Sequence, residues 1–145
     1  ETYEKGSHAY HTTMPTDALT RLRDTMLETE AYGFERIRDE QMQLGSKVRT
    51  LLSSYGFASV AAEGFQAPGV VVSFTTDPGL QSSKKFLDAG LQTAAGVPLQ
   101  CDEGPDFMTF RLGLFGLDKW HDSDAAVATL ERALEAVAPK AVATT

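Results

Sequence analysis

Apolar positions recur along this chain with two different periods, and the changes between them mark its elements. From about Pro15, Leu19, Leu22 and Met26 fall on one stripe, with Leu27 alongside, as a helix requires. Gly33 interrupts that pattern. A second helix is predicted from about Phe34 to Tyr55, with Ile37, Leu44, Val48, Leu51 and Tyr55 on its apolar stripe. Its other face carries Glu35, Arg36, Arg38, Asp39 and Lys47, which reads as a solvated surface. Gly45 is expected to break it, and Gly56 to stop it at the residue just past its end.

The period then shortens. Phe57–Ala61 is a short strand candidate, and Val70-Val71-Val72-Ser73-Phe74 is a β-branched strand. Asp77-Pro78 opens a helix that is expected to run to about Gly90 and bury Leu80, Leu87 and Leu91. Gly96-Val97-Pro98 reads as a turn, and Cys101 to Asp106 as an acidic turn. Phe107 to Leu114 alternates as a strand. Met108, Phe110, Leu112 and Leu114 form its apolar, buried face, while Thr109, Arg111 and Gly113 stand on the other. Ser123 is expected to cap a final helix that turns Val127, Leu130, Leu134 and Val137 inward and ends at Pro139. Two long helices followed by interleaved strands and helices predict an α+β fold, with a small antiparallel or mixed sheet covered by helices on one face.

Length and composition narrow the field. The 145 residues suit one domain of ordinary size, and a hydrophobic fraction of 42% is normal for a globular chain. A formal charge of −7 argues against nucleic acid and anionic membranes as partners. No apolar run approaches the ~20 residues of a membrane span. One cysteine, Cys101, permits neither an internal disulfide nor a cysteine-rich metal site, and fits a reducing cytoplasm, the expected compartment. The acidic neighbours Asp102 and Glu103 disfavour the thiolate that a nucleophile needs. His8, His11 and His121 show no ligand partners at metal spacing, so no metal is expected. No Ser–His–Asp pattern is evident.

Two stretches carry candidate chemistry. Ala9-Tyr10-His11-Thr12-Thr13-Met14-Pro15 places a phenol, an imidazole and hydroxyls in front of a helix start, where free N–H groups and the helix dipole favour an anion. The plain reading is a threonine cap beside an exposed tyrosine. On the arginine strand, the Arg111 guanidinium can grip a carboxylate through two parallel hydrogen bonds, with Gly113 leaving room for an approaching group. The plain reading there is a surface arginine paired with Asp106 or Glu103.

Together these stretches resemble the C-terminal small domain of the class V, fold-type I aminotransferases that depend on pyridoxal phosphate. The similarity is greatest to alanine–glyoxylate and serine–pyruvate aminotransferases. The resemblance rests on Tyr10-His11-Thr12-Thr13-Met14-Pro15, two long helices, then Phe110-Arg111-Leu112-Gly113-Leu114-Phe115-Gly116, and it spans about Tyr10 to Val137. It implies a linker at 1–9, the domain at 10–138 and a frayed tail at 139–145. It also implies a parent enzyme, a homodimer, that moves an amino group between a small amino acid and a 2-oxo acid, glyoxylate or pyruvate. Arg111 would bind the substrate carboxylate, and Tyr10 and Thr13 the cofactor phosphate of the neighbouring subunit.

In the family the cofactor is attached to a lysine of the large domain. Lys5, Lys47, Lys84, Lys85, Lys119 and Lys140 do not lie in that context, and no glycine-rich phosphate loop is present. The chain is therefore expected to be a fragment without catalytic residues of its own and inactive alone. The segment Ala94 to Gln100 departs from the family pattern, which leaves the substrate side chain open. The alternatives are a non-catalytic α+β binding or interaction domain, or another reaction of the same cofactor, such as desulfuration or aminophosphonate transamination.

Overall fold

The computed structural model describes residues 4–6 and 13–138. It shows an α+β fold with six helices and a three-stranded antiparallel sheet among the described residues. The chain divides into two compact units, Glu1–Phe34 and Glu35–Thr145.

The first unit contains α1 (Thr16–Tyr32). Pro15 occupies the N-cap position, one residue earlier than the first helical turn predicted for it, and its carbonyl accepts from the Leu19 N–H at 3.0 Å. A proline N-cap offers no side-chain oxygen to the first amides, so no capping bond forms there. The stripe of Leu19, Leu22, Met26 and Leu27 is present, but all four side chains are exposed.

The second unit begins within the first turn of α2 (Phe34–Ser54), at Glu35, and Leu44, Val48 and Leu52 are the buried apolar positions of that helix. Their i, i+4, i+8 spacing puts them on one face, so Leu52 takes the core place that the sequence reading gave to Leu51. The helix passes through Gly45 unbroken. A Cβ on Gly45 would lie 2.8 Å from the carbonyl oxygen of Pro68, so the glycine allows a close crossing and does not act as a breaker. At the C-terminus Gly56, at φ 84°, donates to Ser53, and Phe57 donates to Leu52. These paired bonds form a Schellman cap, with Phe57 packing back toward the core.

The sheet consists of β1 (Val70–Phe74), β2 (Ala94–Ala95) and β3 (Thr109–Gly113), in the order β1-β3-β2. β3 is central. Arg111 is in register with Val72 on one side and Ala94 on the other. The candidate strand at 57–61 reduces to one bridge, Ser59 with Ser73, on the outer edge of β1. Two alanines have little strand propensity, so β2 exists because the free edge of β3 pairs with them.

The helix predicted from Asp77 to Gly90 is two short helices, α3 (Pro78–Gln81) and α4 (Lys84–Asp88). Asp77 caps α3 through the Gly79 N–H at 2.7 Å, and its carboxylate also pairs with Lys85. Ser83, at φ 65°, resets the chain between the helices. That reset turns Phe86 into the core in place of Leu87, which is 64% exposed. The last helices are α5 (Leu117–His121) and α6 (Ser123–Val137). Asp122, one residue before the predicted cap, receives the Ala125 N–H at 2.9 Å. Ser123 meets Lys47 Nζ at 3.0 Å instead.

One core joins Leu44, Val48 and Leu52 of α2 to Val71, Leu80, Phe86, Phe110 and Leu112, and to Leu130 and Leu134 of α6. Phe110 is its centre. The rings of Phe57 and Phe86 lie 5.2 and 5.3 Å from it, the first edge-on. Removing such a buried ring costs about 3–5 kcal/mol. No helix among the described residues is long and apolar enough to cross a membrane.

Candidate functional site

Alternation along β1 and β3 gives the sheet two unlike faces. Val71, Ser73, Phe110 and Leu112 turn toward the helices and are buried. Val70, Val72 and Phe74 of β1 and Arg111 of β3 stand on the opposite face. Val70 and Phe74 remain 37% and 42% exposed there, and the ring of Phe107 packs edge-on against Phe74 at 5.7 Å.

Arg111 lies near the middle of this open face. Its Nε donates to the Ala95 carbonyl at 2.8 Å, which ties the guanidinium to the second residue of β2. No ion pair among the described residues involves Arg111. The plain reading, a pair with Asp106 or Glu103, is therefore not what the described geometry contains. Glu103 is occupied elsewhere. Its carboxylate accepts from the backbone N–H groups of Leu99, Gln100 and Cys101, the last at 2.6 Å. These bonds, that to Cys101 foremost, pull its pKa down to about 2. They also hold a loop in which Gln100 and Asp102 both adopt φ 60°.

Two further expectations about β3 change. The space beside Gly113 is not open: a Cβ there would lie 3.0 Å from the ring of Phe115, which also covers Gly69. The Phe115 ring, 58% exposed, thus forms a wall of the open face near Arg111. Thr109 is buried, although its strand position places it on the Arg111 face. The backbone at Gly96 lies over it, and a Cβ on Gly96 would fall 1.8 Å from the Thr109 carbonyl oxygen. Gly96 also donates its N–H to Gln81 at 2.8 Å. The Gly96-Val97-Pro98 turn, Gln100, Glu103 and Phe107 line a cleft of about 510 Å³ at this end of the sheet.

A polar relay that the sequence did not signal holds the other side of the domain. Trp120 Nε1 donates to Gln41 Oε1 at 2.7 Å, and Gln41 Nε2 donates to the Pro68 carbonyl at 2.9 Å. Lys47 pairs with Asp124 at 2.5 Å. The Trp120–Gln41 and Lys47–Asp124 contacts join residues 79 and 77 positions apart, and Gln41–Pro68 spans 27, all beyond the reach of a local pattern.

Thr13 is exposed just before α1, ahead of Pro15. Tyr10, His8 and His11 lie outside the described residues. Cys101 is exposed and carries no disulfide; its Sγ lies 3.5 Å from the Leu99 carbonyl. No group of three or more metal-ligating side chains occurs among the described residues. No protein-family model matches the chain, and no curated protein matches it in sequence.

Proposed function

We propose that this chain is the small domain of a class V aminotransferase, and that Arg111 binds the carboxylate of a small amino acid and of its 2-oxo acid partner. The observation that carries this reading is the placement of Arg111. It stands on the open face of the central strand, with Nε engaged by the Ala95 carbonyl and with no acidic partner among the described residues. A guanidinium steadied at one nitrogen presents its two terminal amino groups as a fixed pair, which matches the two oxygens of a carboxylate. Exposed Val70, Phe74 and Phe115 around it supply apolar surface suited to covering by a larger domain, which would exclude water from the bound substrate.

Pyridoxal phosphate would supply the electron sink for chemistry at the substrate α-carbon. The phosphate of the neighbouring subunit's cofactor would be met by Thr13, an exposed residue ahead of α1, and by first-turn amides that receive no side-chain cap from Pro15. Tyr10 would contribute a second hydroxyl. The work of this domain is to orient the carboxylate and exclude water, and both act by positioning.

The test is transamination by the enzyme that carries this chain, loaded with cofactor, using small amino acids as donors and glyoxylate or pyruvate as acceptors. Turnover that depends on Arg111 is the expected result. Turnover indifferent to Arg111→Ala overturns the assignment of the carboxylate site.

A further inference from the structure

The first helix turns its apolar stripe to water. α1 contains no buried residue, and Leu22, Met26 and Leu27 are 56%, 62% and 56% exposed. A helix of 17 residues is marginal in water by itself, and most of the stability of such a helix comes from a partner that covers its apolar face.

The charged residues of α1 fall into two sets. Asp17, Arg21, Asp24 and Glu28 recur at i, i+4, i+7 and i+11, on the side away from the stripe. Arg23 and Glu30 do not follow them. At 3.6 residues per turn, both lie within about 40° of the middle of the stripe, among Leu19, Met26 and Leu27. They stand two turns apart on one row, with opposite signs. Arg23 pairs with its neighbour Asp24, an exposed contact of little worth. Glu30 has no ion pair among the described residues. Charges beside an apolar seam set which partner a helix takes and in which direction it runs.

We infer that α1 recognises itself, pairing antiparallel with α1 of a second copy of this chain. In that orientation Arg23 of each copy stands opposite Glu30 of the other, and two-fold symmetry makes the contact twice. The same register sets Met26 against Leu27 across the axis, so the apolar and charged contacts agree on one alignment. In a parallel pair Arg23 and Glu30 would each lie level with their own copies, and the opposite charges would be about 10 Å apart along the helix, out of reach. On the outer face Asp17, Asp24 and Glu28 outnumber Arg21, which disfavours an anionic lipid surface as the occupant. The inference does not depend on the function proposed for Arg111.

The experiment is sedimentation equilibrium of the whole chain, from micromolar to millimolar protein. A monomer–dimer equilibrium is expected. Arg23→Glu and Glu30→Arg should each weaken dimerisation about tenfold, and the two together should restore it, because the reversed charges face each other again. Leu22→Asp should abolish it. None of these changes should lower the melting temperature of the second unit, whose core contains no residue of α1. Cross-linking in a Cys101→Ser background reads the direction. Met26→Cys should form an intermolecular disulfide, because its two copies would lie within ~2 Å of one another along the axis. Leu19→Cys should not, because its copies would be about 22 Å apart along the axis. Monomers at every concentration, association unchanged in Leu22→Asp, failure of the double charge reversal to restore dimers, or cross-linking at position 19 would each overturn the pairing.

Discussion

The Nε of Arg111 and the carbonyl oxygen of Ala95 are 2.8 Å apart, and this bond links the candidate substrate contact to the shortest strand of the sheet. The contact therefore has two parts: a planar fork for the ligand and an N–H for β2. Lysine can offer a charge but not both parts together.

On the function proposed above, Arg111→Ala in a transaminase carrying this chain is expected to raise the substrate KM by about 30- to 800-fold, the equivalent of ~2–4 kcal/mol for a lost charged contact. Arg111→Lys is expected to recover little of this. Steady-state kinetics with donor and acceptor varied in turn provide the check. Melting of the variants separates binding from folding, since the loss of one exposed bond to Ala95 should lower stability by no more than ~1 kcal/mol.

Gly96 and Gly45 are required for space, to very different degrees. A methyl group on Gly96 meets the Thr109 carbonyl oxygen at 1.8 Å, a distance that only movement of the 96–98 turn or of β3 can relieve. A methyl group on Gly45 meets the backbone of Pro68 at 2.8 Å, a smaller overlap that still requires the backbone of the loop or of α2 to move. Gly96→Ala is expected to destabilise by more than ~3 kcal/mol, and Gly45→Ala by about 1–3 kcal/mol after the gain in helix propensity is counted. Chemical denaturation of both variants tests the order. The reverse order would show that β2 is not held against β3 as described.

Local patterns revealed much of this fold. Val70–Phe74 announces itself by β-branching, Asp77-Pro78 by capping chemistry, and the inward face of β3 by alternation. What they did not reveal comes from tertiary contact. Gly45 reads as a breaker until Pro68 is seen to cross it, and Leu87 reads as core until the left-handed Ser83 turns Phe86 inward. Ala94-Ala95 becomes a strand only because β3 has a free edge. For the site, alternation put Arg111 on the face away from the core, and it stands there. The wall of Phe115 over Gly113, and the capture of Glu103 by backbone amides, depend on loop paths that no period encodes.

If Thr13 and Tyr10 serve a phosphate, their removal should affect the cofactor and not the fold. Thr13→Ala and Tyr10→Phe in the whole enzyme are expected to weaken cofactor retention by ~1–3 kcal/mol each, the value of a hydrogen bond to a charged acceptor. Dialysis against buffer, with the remaining cofactor absorbance as readout, measures this. The chain alone should retain no cofactor in the same assay. Variants that unfold the isolated chain while the enzyme keeps its cofactor would return these residues to a plain structural role.

Glu103 makes a prediction in acid. Its carboxylate is held near a pKa of about 2 against an ordinary value of 4.5, chiefly by the Cys101 N–H and then by the other amides of its loop. A depressed carboxylate contributes stability that is fully present above the ordinary value and is lost as the pH falls through the depressed one. The 99–103 loop should therefore keep its shape at pH 5 and open progressively from about 4.5 to about 2. Amide exchange at Leu99, Gln100 and Cys101 should rise through that window. In Glu103→Gln, exchange at these three amides should already be faster at pH 6, because a neutral amide oxygen is a weaker acceptor, and the acid-dependent step should disappear. The Glu103 carboxyl can be followed directly by carbon-detected titration. An ordinary pKa in that titration, or an unchanged acid step in the glutamine variant, would show that Glu103 does not hold this loop.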